Sequence, residues 1–351
     1  MALSFERERG LSSQPWQDAL VCRRSATLFD FSFMFSARIS GPDAAFTIER
    51  YLGRRVSDMA LNTIRYGVHS DARGMVISDL TVWRVSADIF DLMSGARSDI
   101  SFFEGLTSNR LRVEETSDQS RVYAIQGPQC LSLLDRSQVP ADVEALNYFQ
   151  FTDTKMFGVP VRCGRLGYTG ERGFELIVAE QFAEELWRSL RERMPSATFA
   201  TADVLRIEAG FILFCNDLAF GADLSAFDLP RCYPSGNAAE KEPSVVLVSF
   251  IAQSNQPPVL WQHPKGEPPW PSRGELAVTS ACFSPLANAT LGLGFALTTD
   301  LSDGVELADP LGDFQSVRIT SRPYYDPLKL KVRGGWDSLL QPRFMKDTES
   351  A

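Results

Sequence analysis

One carboxylate, Glu171, lies among four glycines between residues 164 and 173. The flanking segments 159–162 and 174–179 carry the branched and apolar residues that favour strands. Glycines allow the backbone to pass close to a flat ligand. We therefore predict Glu171 at a loop tip between two strands, where its carboxylate can pair with the N–H donors of a heterocycle. An ordinary hairpin with a solvated Glu171 is the alternative. The glycine spacing is not a dinucleotide-binding motif, because a strand and not a helix follows it.

The composition excludes several classes of function. A chain of 351 residues allows two or three domains, and its apolar and charged fractions are those of a globular protein. A net charge of -9 and a pI near 5.0 disfavour binding along a nucleic-acid backbone, which needs a clustered basic face. Residues 1–10 are charged and contain no apolar run for a signal peptide or membrane span, so we predict a cytoplasmic protein with no membrane partner.

Cysteine and histidine placement argues against metal sites and disulfides. The six cysteines form no CxxC pair, which is typical of reduced thiols. The two histidines, His69 and His263, are not placed with cysteines at metal-ligand spacing, so no metal site is predicted. A Ser/His/Asp triad is disfavoured on the same counts, although His69 alone remains a candidate proton carrier. A solvent-facing loop position for His69 is the alternative.

Residues 1–240 contain two segments of similar design. In each, a short strand meets a Gly-Pro pair, Gly41-Pro42 or Gly127-Pro128, and the proline has its φ already set for the first turn of a helix. Two further strand-like segments follow each pair. These are residues 75–85 and 89–93 after the first, and residues 159–162 and 174–179 after the second, with an amphipathic helix at residues 182–194. The pattern predicts an α+β fold with two related α+β modules.

A second region follows a change in composition. Residues 237–243 and 255–273 are rich in Pro, Gly, Asn, Lys and Glu, which places a domain boundary near residue 240. We expect residues 241–340 to form a small β-barrel or sandwich, because they contain short strand-like segments separated by turns. The segments are residues 244–251, 274–279, 291–298, 304–308 and 315–319.

Several motifs, taken in order, resemble the glycine-cleavage T-protein superfamily of tetrahydrofolate-dependent one-carbon transferases. The resemblance runs over residues 21–333, and its combination of motifs is more specific than any one of them. The motifs are Arg23-Arg24-Ser25-Ala26-Thr27-Leu28-Phe29-Asp30, Ser40-Gly41-Pro42-Asp43-Ala44, Gly74-Met75-Val76-Ile77-Ser78-Asp79-Leu80, Gln126-Gly127-Pro128, Tyr168-Thr169-Gly170-Glu171, Arg206-Ile207-Glu208-Ala209-Gly210 and Thr279-Ser280-Ala281-Cys282-Phe283-Ser284-Pro285.

The resemblance implies a fold and a cofactor site. The fold would be a three-domain cloverleaf around a central channel that holds tetrahydrofolate. In such a channel Asp79 would lie close to the reacting folate nitrogens, and Glu171 would bind the pterin ring. Tyr66 and Trp83 would flank the pocket, with tryptophan standing where the family usually has tyrosine. Tyr168, from the Tyr-Thr-Gly-Glu motif, is assigned to the same cofactor-binding set.

Asp79 is the predicted catalytic residue. Transfer of a one-carbon unit to a folate nitrogen needs a nearby anion that accepts a proton or stabilises a cationic intermediate. A strand-end carboxylate that caps a turn is the alternative for Asp79. Arg206 lies in an apolar run where an unpaired charge is costly. It would hold a carboxylate of folate or substrate, or pair with Glu208 or another structural acid.

The segment after residue 213 departs from the family pattern, so the substrate is the least constrained part of the prediction. We predict demethylase-like transfer of a methyl or methylene unit from a small N-, O- or S-methylated compound. The first alternative is the aminomethyltransferase of glycine cleavage, and the second is a non-catalytic folate-binding assembly or scaffold protein. An oxidoreductase subunit or a lipoyl carrier protein would be the protein partner, and nucleic acid is not expected.

Overall fold

The computed structural model describes residues 14–134, 136–227, 229, 232, 244–252, 260–261, 270–302, 304–314 and 316–334. The predicted domain boundary near residue 240, His263 and the charged residues 1–10 lie outside the described residues. In the described part of the chain no helix is both long enough and apolar enough to cross a membrane.

Helices and strands alternate through the first two thirds of the chain, and strands dominate the described residues after position 244. The α-helices are α1 (Pro15–Arg24), α2 (Ala44–Leu52), α3 (Arg97–Glu104), α4 (Ala141–Glu144), α5 (Glu180–Arg191), α6 (Phe199–Glu208) and α7 (Leu330–Arg333). The strands are β1 (Thr27–Asp30), β2 (Phe35–Ser40), β3 (Thr63–Ser70), β4 (Val76–Arg84), β5 (Ile89–Ser94), β6 (Arg112–Glu115), β7 (Ser120–Gln126), β8 (Phe151–Met156), β9 (Val159–Gly164), β10 (Gly173–Ala179), β11 (Ser196–Ala197), β12 (Val245–Ala252), β13 (Leu260–Trp261), β14 (Leu276–Ser284), β15 (Ala289–Leu297), β16 (Glu306–Leu307) and β17 (Val317–Thr320). The predicted mixed α+β class is confirmed.

Three sheets organise these strands. The first sheet has the order β3-β4-β5-β2-β6, and the second has the order β11-β1-β7-β10-β9-β8. The C-terminal sheet has the order β13-β14-β15-β12-β17-β16. Strand β1 precedes the first sheet in the chain but pairs with β7 of the second, so the two sheets are interleaved in sequence.

Local sequence explains the helices that cover the sheets. Helix α2 ends at Gly53, whose φ of 61° is the left-handed conformation that glycine adopts most readily. Helix α5 buries Leu186 and Leu190 against the second sheet, and Met194 just beyond it is also buried, as its apolar spacing predicts. The helix predicted to begin after Gly127-Pro128 is replaced by turns at residues 128–133, because no amphipathic run extends it.

The first and second sheets pack face to face. A Cβ atom on Gly164 of β9 would lie 2.2 Å from Cη2 of Trp83 on β4, so only glycine allows this approach. Asp91 of β5 accepts hydrogen bonds from Arg38 at 2.7 Å and from Arg162 of β9 at 2.5 Å, which ties the two sheets together. Apolar side chains from both sheets, among them Met93 and Phe151, fill the interface.

Candidate active site

Asp79 and Tyr66 lie side by side on the inner face of the first sheet. The Tyr66 hydroxyl donates a hydrogen bond to Asp79 Oδ2 at 3.0 Å. Alternation along β4 places Asp79, Thr81 and Trp83 on this face, while Leu80 and Val82 point to the opposite face. Burial raises the pKa of Asp79 to about 6, against the lowering effect of the Tyr66 hydrogen bond. The carboxyl of Asp79 therefore exchanges a proton near neutral pH, as a general acid or base requires.

Tyr168 lies next to this pair. Its hydroxyl donates to the main-chain oxygen of Ile212 at 2.6 Å, and its ring stacks on Phe211 at a centroid distance of 6.2 Å. Burial raises the pKa of Tyr168 well above its ordinary value, and Asp79 contributes in the same direction. The phenol consequently stays neutral. The structure brings Tyr66, Asp79 and Tyr168 together, although the first two come from the first sheet and Tyr168 comes from the glycine-rich turn between β9 and β10.

Glu171 does not lie at an exposed loop tip. Its residue exposure is 2%, and its Oε1 accepts hydrogen bonds from Arg23 at 3.2 Å and from the Tyr325 hydroxyl. Lys331 Nζ lies 3.9 Å from the same oxygen. Oε2 is buried without a hydrogen-bond partner among the described residues. The predicted loop-tip position of Glu171 is therefore wrong, because its carboxylate is buried beside Arg23, Tyr325 and Lys331, and its contact with a pterin stays a prediction.

Arg206 is also engaged within the protein. It is fully buried, and its guanidinium donates to Asp203 at 2.6 Å and to Asp217 at 2.8 Å. Its remaining donors reach the Ser280 hydroxyl at 2.7 Å and the main-chain oxygen of Phe211 at 3.2 Å. Of the two predicted roles, the structural ion pair is the one the geometry supports, and cofactor binding by Arg206 stays a prediction. Asp203 precedes Arg206 in the sequence, and Asp217 follows it.

Glu208, the partner first considered for Arg206, pairs with a different arginine. Arg23 donates to Glu208 Oε2 at 2.9 Å, and both side chains are buried. Ser284 from β14 donates to the other oxygen of Glu208 at 2.7 Å. Helix α6 therefore carries two separate buried ion-pair clusters, one at Arg206 and one at Glu208.

Trp83 and His69 both lie in packed surroundings. Trp83 has no exposed surface, and its Nε1 donates to the Thr81 hydroxyl at 3.0 Å. It therefore forms part of the interface between the sheets and presents no open aromatic face. The His69 ring stacks on Tyr51 at 3.7 Å, and its Nδ1 lies 2.8 Å from the Tyr51 main-chain oxygen. These contacts place His69 on the outer face of the first sheet, away from Asp79.

Glu175 is a candidate that the motif analysis missed. It occupies the middle of β10, where Phe174, Leu176 and Val178 pack into the core beneath α5 and Glu175 points to the opposite, inner face. It is 7% exposed, and no hydrogen bond or charge of a described residue contributes to the shift of its pKa. Burial alone raises the pKa of Glu175 to about 7. A carboxylate buried without a partner is costly, so an unpaired one marks a functional position.

Strand register places Glu175 in the inter-sheet region. It pairs across the ladders with Gly164 of β9 and Ala124 of β7, and Gly164 is the residue on which Trp83 rests. Glu175 is also an electrostatic neighbour of Tyr148. One signal in the sequence could have found it, namely a single acid in the otherwise apolar segment 174–179.

Among the described residues, neither the surface cavity along β8 and β9 nor any metal-ligand cluster includes these candidate residues. A surface cavity of about 730 Å³ lies along β8 and β9, with Asp153, Lys155 and Arg162 in its wall, and it contains none of the candidates. Among the described residues no cluster of His, Cys, Asp and Glu side chains is arranged to hold a metal ion.

Comparison with known proteins identifies the family. Residues 1–230 match the family model described as the GCVT N-terminal domain. The chain is 28% identical over 334 residues to an aminomethyltransferase of Streptomyces avermitilis, covering 87% of this chain and 88% of that protein. It is 30% identical over 331 residues to a probable aminomethyltransferase of Natronomonas pharaonis, with the same coverage. The chain belongs to the glycine-cleavage T-protein superfamily, as its motifs predict.

A solved structure agrees with this assignment at the level of the fold. The crystal structure of the glycine cleavage system aminomethyltransferase T from Bartonella henselae matches with a TM-score of 0.73 at 23% identity, over 88% of this chain and 89% of that one. The curated relatives confirm the prediction that the chain is an enzyme, a transferase of this one-carbon superfamily.

Proposed function

We propose that the protein is an aminomethyltransferase that moves a one-carbon unit from an aminomethyl donor to tetrahydrofolate. The sequence motifs alone favour a demethylase ahead of this reaction, whereas the similarity to aminomethyltransferases favours this reaction. The observation that carries the proposal is the pair of acids on the facing sheets. The pKa of Asp79 is raised to about 6 and that of Glu175 to about 7, both by burial.

Glu175 is the proposed contact to the pterin ring, in place of Glu171. A reduced pterin presents adjacent N–H donors, and a carboxylate can accept two of them at once. Such pairing would offset the cost of burying Glu175 alone. Glu171 is a poorer candidate because Arg23 and Tyr325 already occupy its Oε1.

Asp79 is the proposed proton carrier. Aminomethyl transfer breaks the bonds from the donor carbon to its sulfur and to its amine nitrogen, forms bonds from that carbon to two folate nitrogens, and releases a thiol and ammonia, which take up the two folate N–H protons. A carboxylate beside the reacting nitrogen accepts its proton and stabilises the cation that forms on the way. Tyr66 supports this role, because its hydrogen bond fixes the Asp79 carboxylate in one orientation.

The proposal extends to domain organisation and partners. Residues 1–240 would supply the folate site, and residues 241–340 would close a barrel that completes a three-domain cloverleaf around it. The aminomethyl donor would arrive on a lipoyl carrier protein, which an aminomethyltransferase of glycine cleavage requires. An oxidoreductase subunit is the partner expected if the donor is instead a small methylated compound.

A transfer assay tests the function. The protein is incubated with tetrahydrofolate and an aminomethyl-loaded lipoyl carrier, and methylene-tetrahydrofolate and ammonia are measured. We expect both products in equal amounts, and neither in the absence of folate. A parallel panel of methylated amines, aryl ethers and sulfonium compounds should give no product. Turnover with the panel but not with the carrier would replace this proposal by the demethylase.

The Asp79→Asn variant tests the proposed proton carrier within the same assay. We expect folate binding to persist and turnover to fall by about 10²–10⁴-fold, the usual contribution of general acid–base catalysis. Asp118→Asn is the matched control, because Asp118 lies on an exposed turn. Unchanged turnover in Asp79→Asn would remove this residue from the mechanism.

A further inference from the structure

A second buried acid, Asp99, lies on the other side of strand β4 from Asp79. Asp99 belongs to the first turn of α3 and is 1% exposed. Ser78, the residue before Asp79, points to the outer face of the first sheet and donates to Asp99 Oδ1 at 2.7 Å. Asp99 is therefore separated from Asp79 by the backbone of one strand.

Hydroxyl groups surround the Asp99 carboxylate. Tyr51 of α2 donates to Oδ1 at 2.7 Å, and Ser94 of β5 donates to Oδ2. Together with Ser78 they supply three O–H donors, an arrangement that suits an acceptor-only carboxylate. The position of Asp99 at the start of α3 also favours negative charge. Among the residues that the structure describes, no cation contacts the Asp99 carboxylate.

Ser94 links this network to the backbone of Asp79. Its hydroxyl oxygen lies 3.3 Å from the main-chain oxygen of Asp79 and also accepts the N–H of Ala96 at 2.9 Å. In the ladder Ser94 pairs with Leu80, the residue after Asp79. Asp99 thus holds the strand on both sides of Asp79, through Ser78 in β4 and Ser94 in β5.

We propose that Asp99 is a positioning residue for Asp79: it fixes this segment of β4 through Ser78 and Ser94, and its carboxylate acts on that of Asp79 across the strand. The inference rests on the proposed role of Asp79 in transfer. It follows from like-charge repulsion across one strand in a poorly hydrated region, where neighbouring carboxylates resist ionising together. The contribution of Asp99 to the raised pKa of Asp79 is in this direction.

Other ionisable groups also face the two acids. Around Asp79 these groups are Tyr66, Tyr168, Asp217, Cys232 and Arg54, whose guanidinium donates to the main-chain oxygen of Tyr66. Around Asp99 they are Tyr51 and His69, which stacks on the Tyr51 ring. Asp217 is held by Arg206, so its charge is largely balanced. Asp99 has no such counter-ion among its described contacts. Removing the charge of Asp99 should therefore change the pKa of Asp79 more than removing the charge of Asp217 would.

The pH dependence of transfer tests this role. Because Asp79 acts as a carboxylate, turnover should fall as the pH drops through about 6. Asp99→Asn keeps the shape of the side chain and removes its charge, so the acid limb should move to lower pH by about 0.5–1 unit. Ser94→Ala removes the contact that joins β5 to both acids and should lower kcat. Asp88→Asn is the matched control, because Asp88 is an exposed acid at the β4–β5 turn.

An unmoved acid limb in Asp99→Asn, with only a lower kcat, would overturn the proposal and leave Asp99 a purely structural residue. If Asp99→Asn does not fold, Tyr51→Phe replaces it. That variant removes one of the three O–H donors that hold the Asp99 carboxylate, so a smaller shift in the same direction is expected. A shift to higher pH, or no shift, would contradict the inference.

A second readout needs no substrate. The protein is labelled with ¹³C at the aspartate side chains, and the carboxyl signal of Asp79 is assigned by its absence from Asp79→Asn. The chemical shift of this signal is then followed by NMR against pH in the wild type and in Asp99→Asn. We expect its midpoint to be about 0.5–1 unit lower in the variant. Equal titration midpoints for Asp79 in the wild type and in Asp99→Asn would contradict the inference, whether or not transfer is observed. Absence of transfer together with a shifted midpoint would instead count against the proposed function alone.

Discussion

The unpaired carboxylate of Glu175 should make the protein less stable at neutral pH than it would be without it. Burial raises the pKa of Glu175 from 4.5 to about 7. The folded protein therefore binds this proton more tightly than the unfolded chain does. Its stabilising effect is complete below pH 4.5 and is lost as the pH rises through 7.

The size of the effect follows from the two pKa values. Their difference of about 2.5 corresponds to roughly 3 kcal/mol at 1.36 kcal/mol for each pKa unit. Glu175→Gln removes the titration and keeps the side-chain length. Relative to the wild type, the free energy of unfolding of this variant should rise by about 2.5 kcal/mol between pH 5 and pH 8. The amide adds its own burial cost, but that cost does not change over this range of pH.

Urea unfolding at several pH values measures this difference. Tryptophan fluorescence is a suitable probe, because the Trp83 ring rests on Gly164, the ladder partner of Glu175. If unfolding is a single two-state step, the transitions followed by circular dichroism and by tryptophan fluorescence should coincide. Glu184→Gln, an exposed change on α5, is the control and should show a difference that is independent of pH. A pH-independent difference for Glu175→Gln as well would refute the reasoning that Glu175 is buried unpaired.

Three further variants test the surroundings of the site. Arg206→Met leaves Asp203 and Asp217 buried without their cation, and urea unfolding should show a loss of about 3–5 kcal/mol; a loss below about 1 kcal/mol would contradict the ion-pair geometry. Tyr325→Phe removes a donor to the buried Glu171 and should cost about 1.5–3 kcal/mol while folate affinity, measured by calorimetry, stays within about twofold. A large loss of affinity would return Glu171 to the list of ligand contacts. Gly164→Ala drives a methyl group into Trp83, so thermal unfolding should show a destabilisation of about 1–3 kcal/mol, and an unchanged melting temperature would mean that the sheets do not meet there.

Local pattern was sufficient to predict many of the elements. The apolar spacing of residues 182–194 predicts the buried face of α5, and the proline at position 42 correctly places the start of α2 just beyond it. Each of the five segments predicted as strands after residue 240 contains a strand in the structure. These features depend on neighbours in the sequence, so a periodic pattern carries the information. The pairing of β1 with β7 could not be read in this way, because it joins segments about a hundred residues apart.

The site was predicted less completely than the fold. Asp79 and Tyr66 face each other across neighbouring strands of a hairpin, so one motif and its register bring them together. Glu171 and Glu175 are four residues apart in one glycine-rich segment. Whether each carboxylate is paired depends on side chains that are distant in the sequence. Arg23 and Tyr325, which occupy Glu171, are 148 and 154 residues away in the chain. No pattern within the motif distinguishes the paired acid from the unpaired one.

Arg206 illustrates the same limit. Its nearest acid in the sequence, Glu208, points to Arg23 instead, because residues two apart on a helix lie on different faces. Asp203, three residues before Arg206, lies on the same face and is the partner that helical geometry favours. Ser280, which takes another donor, comes from a strand 74 residues away. Helical spacing could have predicted the first partner and not the second.

The central claim is that a reduced folate binds between the facing sheets with Glu175 as its acidic contact. Calorimetric titration of tetrahydrofolate into the wild type, Glu175→Gln and Glu184→Gln under anaerobic conditions tests it most directly. We predict saturable binding to the wild type and to Glu184→Gln, and an affinity lower by about tenfold or more in Glu175→Gln, as expected for the loss of a charge-assisted contact. Equal affinity in all three proteins, or no binding to the wild type, would contradict the account.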